Sequence, residues 1–417
     1  MKATQLLPLL LLGAFSCQKP LFTQTPRWMR MQDRYAHMQA DSGQAGSGQQ
    51  PQEGPEVKKP SVYVTALRFP EGVDWRSGSL EGARIVLWKD GEEVLDVPGG
   101  HYPEPDRHRV RGGHLWQDDS DGRTTRILRD GEELVRYDGD EILRGMLLVE
   151  DDIHTLGQRA GSAGFSYRIN GREVYAHPQA RVPGSFQDRE WEGGALMQDD
   201  DGAVYYCCAL PIRKNDAVSW EYRLMQGDRV ALSIAETEAE TVYDIRVWKG
   251  SVYRSEQRSA DARSLVMVRD SRAYSLTVPP GETVHLCRLV PQGEQMLVKG
   301  YSVAAGKKAY TYWMQGESGV LQQCSSEWQL AGLYTDNPLQ AAVYLNKGKV
   351  QRIWNGEKNV LVIPGRYTLR TQACTAYKDG VLYAALSDYV EDTHLVLRGD
   401  VLESVRFNGC FTGIWIE

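Results

Sequence analysis

Four segments of this 417-residue chain gather the side chains best suited to molecular recognition. Residues 69–82 hold Trp75 and Arg76. Residues 96–109 hold His101, Tyr102 and Arg107. Residues 176–192 hold Phe186, Arg189 and Trp191. Residues 210–219 hold Arg213 and Lys214. Trp, Tyr and Arg are enriched where binding energy concentrates, so these ten residues are the candidate binding set. Signatures of catalysis are missing. There is no HExxH and no GxSxG, and the eight His share no spacing. A Ser/His/Asp set assembles in space rather than in sequence, so spacing leaves it open. With 55 Asp and Glu, a carboxylate pair for glycoside hydrolysis has no distinctive mark either.

Two acidic runs, Asp118-Asp119-Ser120-Asp121-Gly122 and Asp199-Asp200-Asp201-Gly202, look like fragments of calcium loops. Calcium needs six to eight oxygens, and neither run is followed by the bidentate acid of an EF-hand. Short polar turns use Asp to bond their own backbone. The runs are therefore read as turns in the first hairpin of a repeat, with no metal and no cofactor. Beyond Cys17, six Cys remain: Cys207, Cys208, Cys287, Cys324, Cys374 and Cys410. None is spaced as CxxC, which argues against zinc. They are read as buried small hydrophobes or as disulfide partners. Cys207 and Cys208 are strand neighbours and should face opposite ways. Net charge is −7 with no basic stripe, so nucleic acid is not an expected partner.

What positions the candidate residues is a repeated unit. Trp88-Lys89-Asp90-Gly91-Glu92-Glu93-Val94 recurs as Leu128-Arg129-Asp130-Gly131-Glu132-Glu133-Leu134, and again as Arg168-Ile169-Asn170-Gly171-Arg172-Glu173-Val174. Asp-Gly and Asn-Gly suit two-residue type I′ hairpins, which need φ > 0 at both centres. Weaker copies follow, and the turns fall at 91, 131, 171, 227, 271, 316, 356 and 399. A second series of turns runs between them. Gly112–Asp119 matches Gly193–Asp200, with Gly145–Asp152 read in the same frame. Each unit thus holds two hairpins, or four short strands. Four antiparallel strands per unit of about 44 residues is the pattern of a propeller blade.

The expected fold is therefore all-β: a β-propeller of eight four-stranded blades, with seven as the alternative count. The first unit starts abruptly at Val62-Tyr63-Val64, and Phe411–Ile416 is left over at the chain end. That last strand is expected to complete the first blade. In each blade the strands A to D have their A–B and C–D turns on one face. The B–C and D–A connections lie on the other. The four candidate segments are B–C or D–A connections, so they share a face. All come from the first four units. Loops gathered on one side of a rigid scaffold tend to carry function. Trp88, Trp248, Trp313 and Trp354, next to turns, are read as packing between blades.

The N-terminus reads as an export signal over residues 1–16, with Lys2 ahead of the apolar run Leu6–Leu12. Ala14-Phe15-Ser16-Cys17 resembles the lipobox of bacterial lipoproteins, in the looser form of Bacteroidota. The resemblance implies acylation of Cys17 and anchoring to the outer membrane, on its periplasmic or outer side. Plain secretory cleavage after Ser16 is the alternative. Residues 17–59 read as a lipidated Cys and a disordered tether, with no apolar period over Gln39–Gln50. Residues 60–417 form the propeller domain, which resembles β-propeller lipoproteins in its Tyr-rich strands and aromatic-x-Asn/Asp-Gly turns. The function expected is a non-enzymatic binding or scaffold module engaging a protein or glycan through the long-connection face. The alternatives are a carbohydrate-active hydrolase or lyase with an axial site, and a structural or sensor ectodomain of an envelope complex.

Overall fold

A computed structural model describes residues 60–417 except 78–79, 102, 104–106, 140, 160–163, 181–195, 215–216, 236–240, 259–264, 277–282, 293–294, 305–306, 316–320, 327–328, 334–341, 347–348, 356–357 and 364. By its internal contacts the chain divides into Met1–Lys59 and Pro60–Glu417, and every described residue lies in the second unit. The expected signal peptide, Cys17 and the expected tether therefore lie outside the described residues. So do Tyr102, Phe186, Arg189 and Trp191.

Strands dominate the chain. Among the described residues they form six separate four-stranded antiparallel sheets and one nine-stranded sheet. The nine-stranded sheet divides into two four-stranded groups, spanning 329–362 and 375–406, joined through the short strand Tyr367–Thr368. Taken in chain order, the first strand of one group touches the first strand of the next at most steps. Leu196–Gln198 lies against Glu141–Val149 and against Thr241–Trp248, and the latter lies against Thr283–Gln292. This radial succession of four-stranded sheets is the architecture of a β-propeller.

The ring is closed by the chain's own end. Gly409–Ile416 pairs antiparallel with Val62–Arg68, from Val62↔Ile416 to Arg68↔Gly409. Ser61 and Glu417 exchange backbone hydrogen bonds of 2.8 and 3.0 Å. The closing strand also touches Thr375–Lys378 of the last group and His108–Arg111 of the second. Side chains of the final residue finish the latch: the Glu417 carboxylate accepts the amides of Gly112 and Gly113 at 2.9 and 2.6 Å.

The repeated turns explain the repeated residues. Asp90, Asp130 and Asn170 have φ of 52°, 54° and 51°, each followed by a glycine at positive φ. Each also clamps the second strand of its own group. The side-chain oxygens of Asp90, Asp130, Asn170 and Asp270 accept the amides of Val62, Leu115, Ile153 and Val252, at 2.8 to 3.0 Å. The amides of the same four residues donate back to the carbonyls of those partners. Only a short side chain with an oxygen at Cγ serves both ends. The following glycine is constrained from outside: a Cβ on Gly171 would sit 2.7 Å from Val135 of the preceding group. Replacing Asp130 with Ala is expected to cost about 1–3 kcal/mol, because a partly buried amide loses its acceptor. Asp130→Asn should keep most of that stability, since Asn170 does the same work. Urea midpoints of the two variants check this.

The core is built between groups. Tyr167 of the third group stacks on Tyr206 of the fourth at 4.5 Å, within a cluster that reaches Ile245 of the fifth. Trp88 packs on Phe407 and Phe411 across the closing seam, as expected of a turn-adjacent Trp. Cys207, Cys208, Cys374 and Cys410 are free thiols and buried.

Three sequence readings need correction. First, residues 210–219 are not a long connection. Val204–Lys214 and Ala217–Gln226 pair to Lys214↔Ala217, so Arg213 and Lys214 stand at the tip of an extended hairpin. Second, the two acidic runs do not share a frame. Asp118 and Asp119 lie on a second strand, near its turn into the third, whereas Asp199–Gly202 forms the turn after a first strand. They sit at opposite ends of their sheets. Their oxygens serve backbone amides: Asp121 accepts from Arg123 and Thr124, and Asp199 from Gly250. Third, long connections are not confined to the first four units. Residues 363–374, between the seventh and eighth groups, carry the extra strand Tyr367–Thr368 and a short 3-10 turn, Gln372–Cys374.

Candidate functional site

The extra strand organises one sector of the long-connection face. Thr368 pairs with Lys349 of the seventh group. Tyr367 and Thr368 pair with Asp388 and Ser387 of the eighth. Two neighbouring groups are thereby joined, and the loop Tyr389–Asp392 is held at their edge. Asp388 is the internal anchor. It is fully buried and accepts Arg366 Nε at 2.7 Å and the amides of Val390 and Glu391 at 2.8 and 3.1 Å. Arg366 also reaches Glu391 at 2.5 Å. Burial works against the Arg366 cation, but these carboxylates outweigh it and raise its pKa.

Tyr389 is the hub of the sector. Its amide donates to the Arg366 carbonyl. Its carbonyl accepts Arg76 Nε at 3.1 Å. Its hydroxyl accepts Arg370 Nη1 at 3.4 Å. The Lys349 ammonium stands 5.9 Å from its ring centroid. Trp75 meets it edge-on at 5.3 Å and 67°. Lys349 and Arg370 are exposed, and neither forms an ion pair among the described residues. The Arg370 side chain also bonds the buried Cys410 thiol, so the sector presents an exposed Lys349 and an Arg370 held on Tyr389 and Cys410 beside an aromatic pair.

Trp75 and Arg76 do reach the long-connection face, but they fold onto the eighth group. Trp75 is 5% exposed, so it offers no open stacking platform. Its indole and Arg76 both bond Asp392, at 3.4 and 2.7 Å. Arg107 is buried against Asp118 at 3.6 Å. Lys349, Arg370 and Tyr389 were not singled out from the sequence. The only signal for them was the twelve-residue gap before Thr375, longer than a repeat of this size needs.

His101 occupies a second, smaller site between the first and second groups. Its side chain is 52% exposed. Its Nδ1 lies 3.0 Å from Asp119 Oδ2, and its amide donates to Asp119 Oδ1 at 2.8 Å. Arg126 Nη2 donates to the same carboxylate at 2.6 Å. Burial opposes ionisation of Asp119, but His101 and Arg126 outweigh it and hold its pKa low. Arg126 Nη2 also lies 2.9 Å from His101 Nδ1, so the fixed carboxylate and the guanidinium together hold the exposed imidazole.

Deeper acids are compensated within the ring. Glu141 accepts Ser166 and Arg168 at 2.6 and 2.9 Å. Asp244 accepts the Leu289 amide at 2.8 Å and lies 3.6 Å from Arg246. Beneath the long-connection face at the seam, His108 Nε2 lies 2.6 Å from Thr412 Oγ1, which lies 2.8 Å from Thr65 Oγ1. Burial pushes the pKa of His108 down to about 3. Among the described residues, no group of three His, Cys, Asp or Glu could hold a metal ion.

No family model matches the chain, and no curated protein does. Solved structures share its outline. A dihydro-heme d1 dehydrogenase, NirN, is 11% identical at a TM-score of 0.47, covering 88% of this chain and 77% of that one. Sqt1 of Chaetomium thermophilum, solved with the N-terminus of ribosomal protein L10, is 10% identical at 0.39, covering 83% and 97%. An acylaminoacyl peptidase of Pyrococcus horikoshii is 10% identical at 0.42, covering 72% of this chain. The chain spans about half (51%) of that peptidase's length. At such identities and scores, none of them bears on what this chain binds.

Proposed function

We propose that this chain is a binding module of the bacterial cell envelope, engaging a protein or glycan through the long-connection face of its ring. In this reading it is exported and anchored to the outer membrane by acylation at Cys17. The observation that supports it is the Tyr389 sector. There Lys349 and Arg370 stand exposed without acidic partners, while the neighbouring Arg76 and Arg366 are neutralised by Asp392, Asp388 and Glu391. Exposed charge held on a rigid scaffold steers and orients a partner.

The test is positional. A photo-crosslinking residue is placed at Val390, 68% exposed beside Tyr389, or at Val401, 55% exposed just after a C–D turn on the opposite face. Crosslinks in intact cells are expected from position 390 and not from 401. Adducts from 401 alone, or from neither, contradict the reading.

A second reading, a carbohydrate-active hydrolase or lyase, draws on His101. Its Nδ1 lies within reach of both the buried Asp119 carboxylate and Arg126 Nη2, which leaves the other nitrogen to move a proton. That reading requires turnover of a polysaccharide that His101→Ala removes.

A further inference from the structure

We infer that His108 and Gln117 enclose a site for one buried water molecule, which ties the closing strand to the connection that carries His101. This goes beyond the proposed binding function and does not depend on it.

His108 and Gln117 are direct partners on the first and second strands of the second group. The Asp118 amide donates to the Arg107 carbonyl at 3.0 Å, which makes Arg107 and Asp118 a hydrogen-bonded pair. The next pair along, His108 and Gln117, is then of the non-hydrogen-bonded kind, whose side chains stand closer. Both side chains leave the same face of the sheet as Val110 and Leu115, which pack against the first group. Each is 3% exposed.

One end of each side chain is fixed. His108 Nε2 lies 2.6 Å from Thr412 Oγ1 on the closing strand. Gln117 Nε2 donates to the Gly99 carbonyl at 2.9 Å. That bond sets the direction of the amide, since a flipped Gln117 would turn an oxygen toward the carbonyl. The other ends, His108 Nδ1 and Gln117 Oε1, are buried and meet no hydrogen-bond partner among the described residues, so they do not bond each other either. Burial pushes the pKa of His108 down to about 3, so the ring is neutral, with one nitrogen a donor and the other an acceptor.

Buried polar atoms without a partner are costly, and internal water is the common remedy. Neither side chain carries a charge, so the site takes a neutral dipole rather than an ion. A water donates to Gln117 Oε1 and pairs with His108 Nδ1 through its other hydrogen or a lone pair. One continuous run then leads from Thr65 through Thr412, His108, the water and Gln117 to Gly99. Two residues past Gln117, Asp119 holds the His101 amide. The same strand face grips residues 99 and 101, and the water couples that grip to the closing strand.

A crystal structure of the full chain tests this directly. Density for a single atom is expected between His108 Nδ1 and Gln117 Oε1, about 2.7–3.2 Å from each. In solution, oxygen-17 magnetic relaxation dispersion counts long-lived internal waters. Gln117→Met removes the acceptor at similar length and should lose one water relative to the parent, with a thermal melt reporting whether it folds. A direct bond between His108 and Gln117, or no density between them, overturns the assignment. An unchanged water count in folded Gln117→Met does so too. If that variant does not fold, the density in the parent decides alone.

Discussion

Removal of Gly409–Glu417 is expected to unfold the ring rather than loosen one edge of it. The strand contributes a full ladder to Val62–Arg68, and it buries Cys410, Phe411, Thr412 and Ile414. It also touches both neighbouring groups, so its loss opens two interfaces at once. Each large apolar side chain is worth roughly 1.5–3 kcal/mol buried, and each ladder bond about 1 kcal/mol. Together these are comparable with the whole net stability of a domain, about 5–15 kcal/mol. The truncated chain should show no cooperative thermal transition and should elute from size exclusion as expanded or aggregated material. Phe411→Ala, a milder lesion, is expected to cost about 3–5 kcal/mol. A truncated ring that melts within a few degrees of the parent would contradict this account of closure.

Acid should weaken the same seam. His108 is neutral in the folded chain with a pKa of about 3, against 6.5 for an unhindered imidazole. A base whose folded pKa is depressed contributes its stability above the unfolded value. That contribution is lost as pH falls from 6.5 toward 3, because the unfolded chain takes the proton first. At about 1.4 kcal/mol per pH unit, the ceiling for this one histidine is roughly 4–5 kcal/mol. Burial lowers His154, His177 and His394 in the same direction. The depressed carboxyls of Asp119 and Glu221 add their loss at the acid end, as pH falls through their folded values. Urea midpoints at pH 7.5, 6 and 4.5 should therefore fall steeply. His108→Gln can still meet Thr412 without titrating, so its curve should be flatter. Parallel curves for parent and variant would contradict the role given to His108.

What was legible in the sequence followed from local constraints. A hairpin that forces φ > 0 at two positions selects Asp-Gly or Asn-Gly, so Asp90, Asp130 and Asn170 announced the repeat. The closing strand was legible because Phe411–Ile416 had no partner nearer than the chain's beginning. What escaped depended on distance or on brevity. Tyr367–Thr368 is two residues long and has no periodicity to read, yet it joins two groups and gathers Lys349, Arg370 and Tyr389. Trp75 looked like an exposed loop aromatic because Tyr389 and Asp392 lie more than 300 residues away in sequence. Only ring closure brings the first group against the eighth. The two acidic runs misled for another reason: glycine pairs and aspartate pairs mark both ends of these sheets, so matching letters did not mean matching positions.

The most direct measurement of the binding face is amine acylation read by mass spectrometry, in intact envelopes and on the purified chain. Lys349 lies on the long-connection face, while Lys89 and Lys249 lie at turns on the opposite one, and all three are exposed. Lys349 is expected to be protected in the envelope and reactive once purified, with Lys89 and Lys249 equally reactive in both. Equal reactivity of Lys349 in the two states, or protection of Lys89 and Lys249 instead, would contradict it.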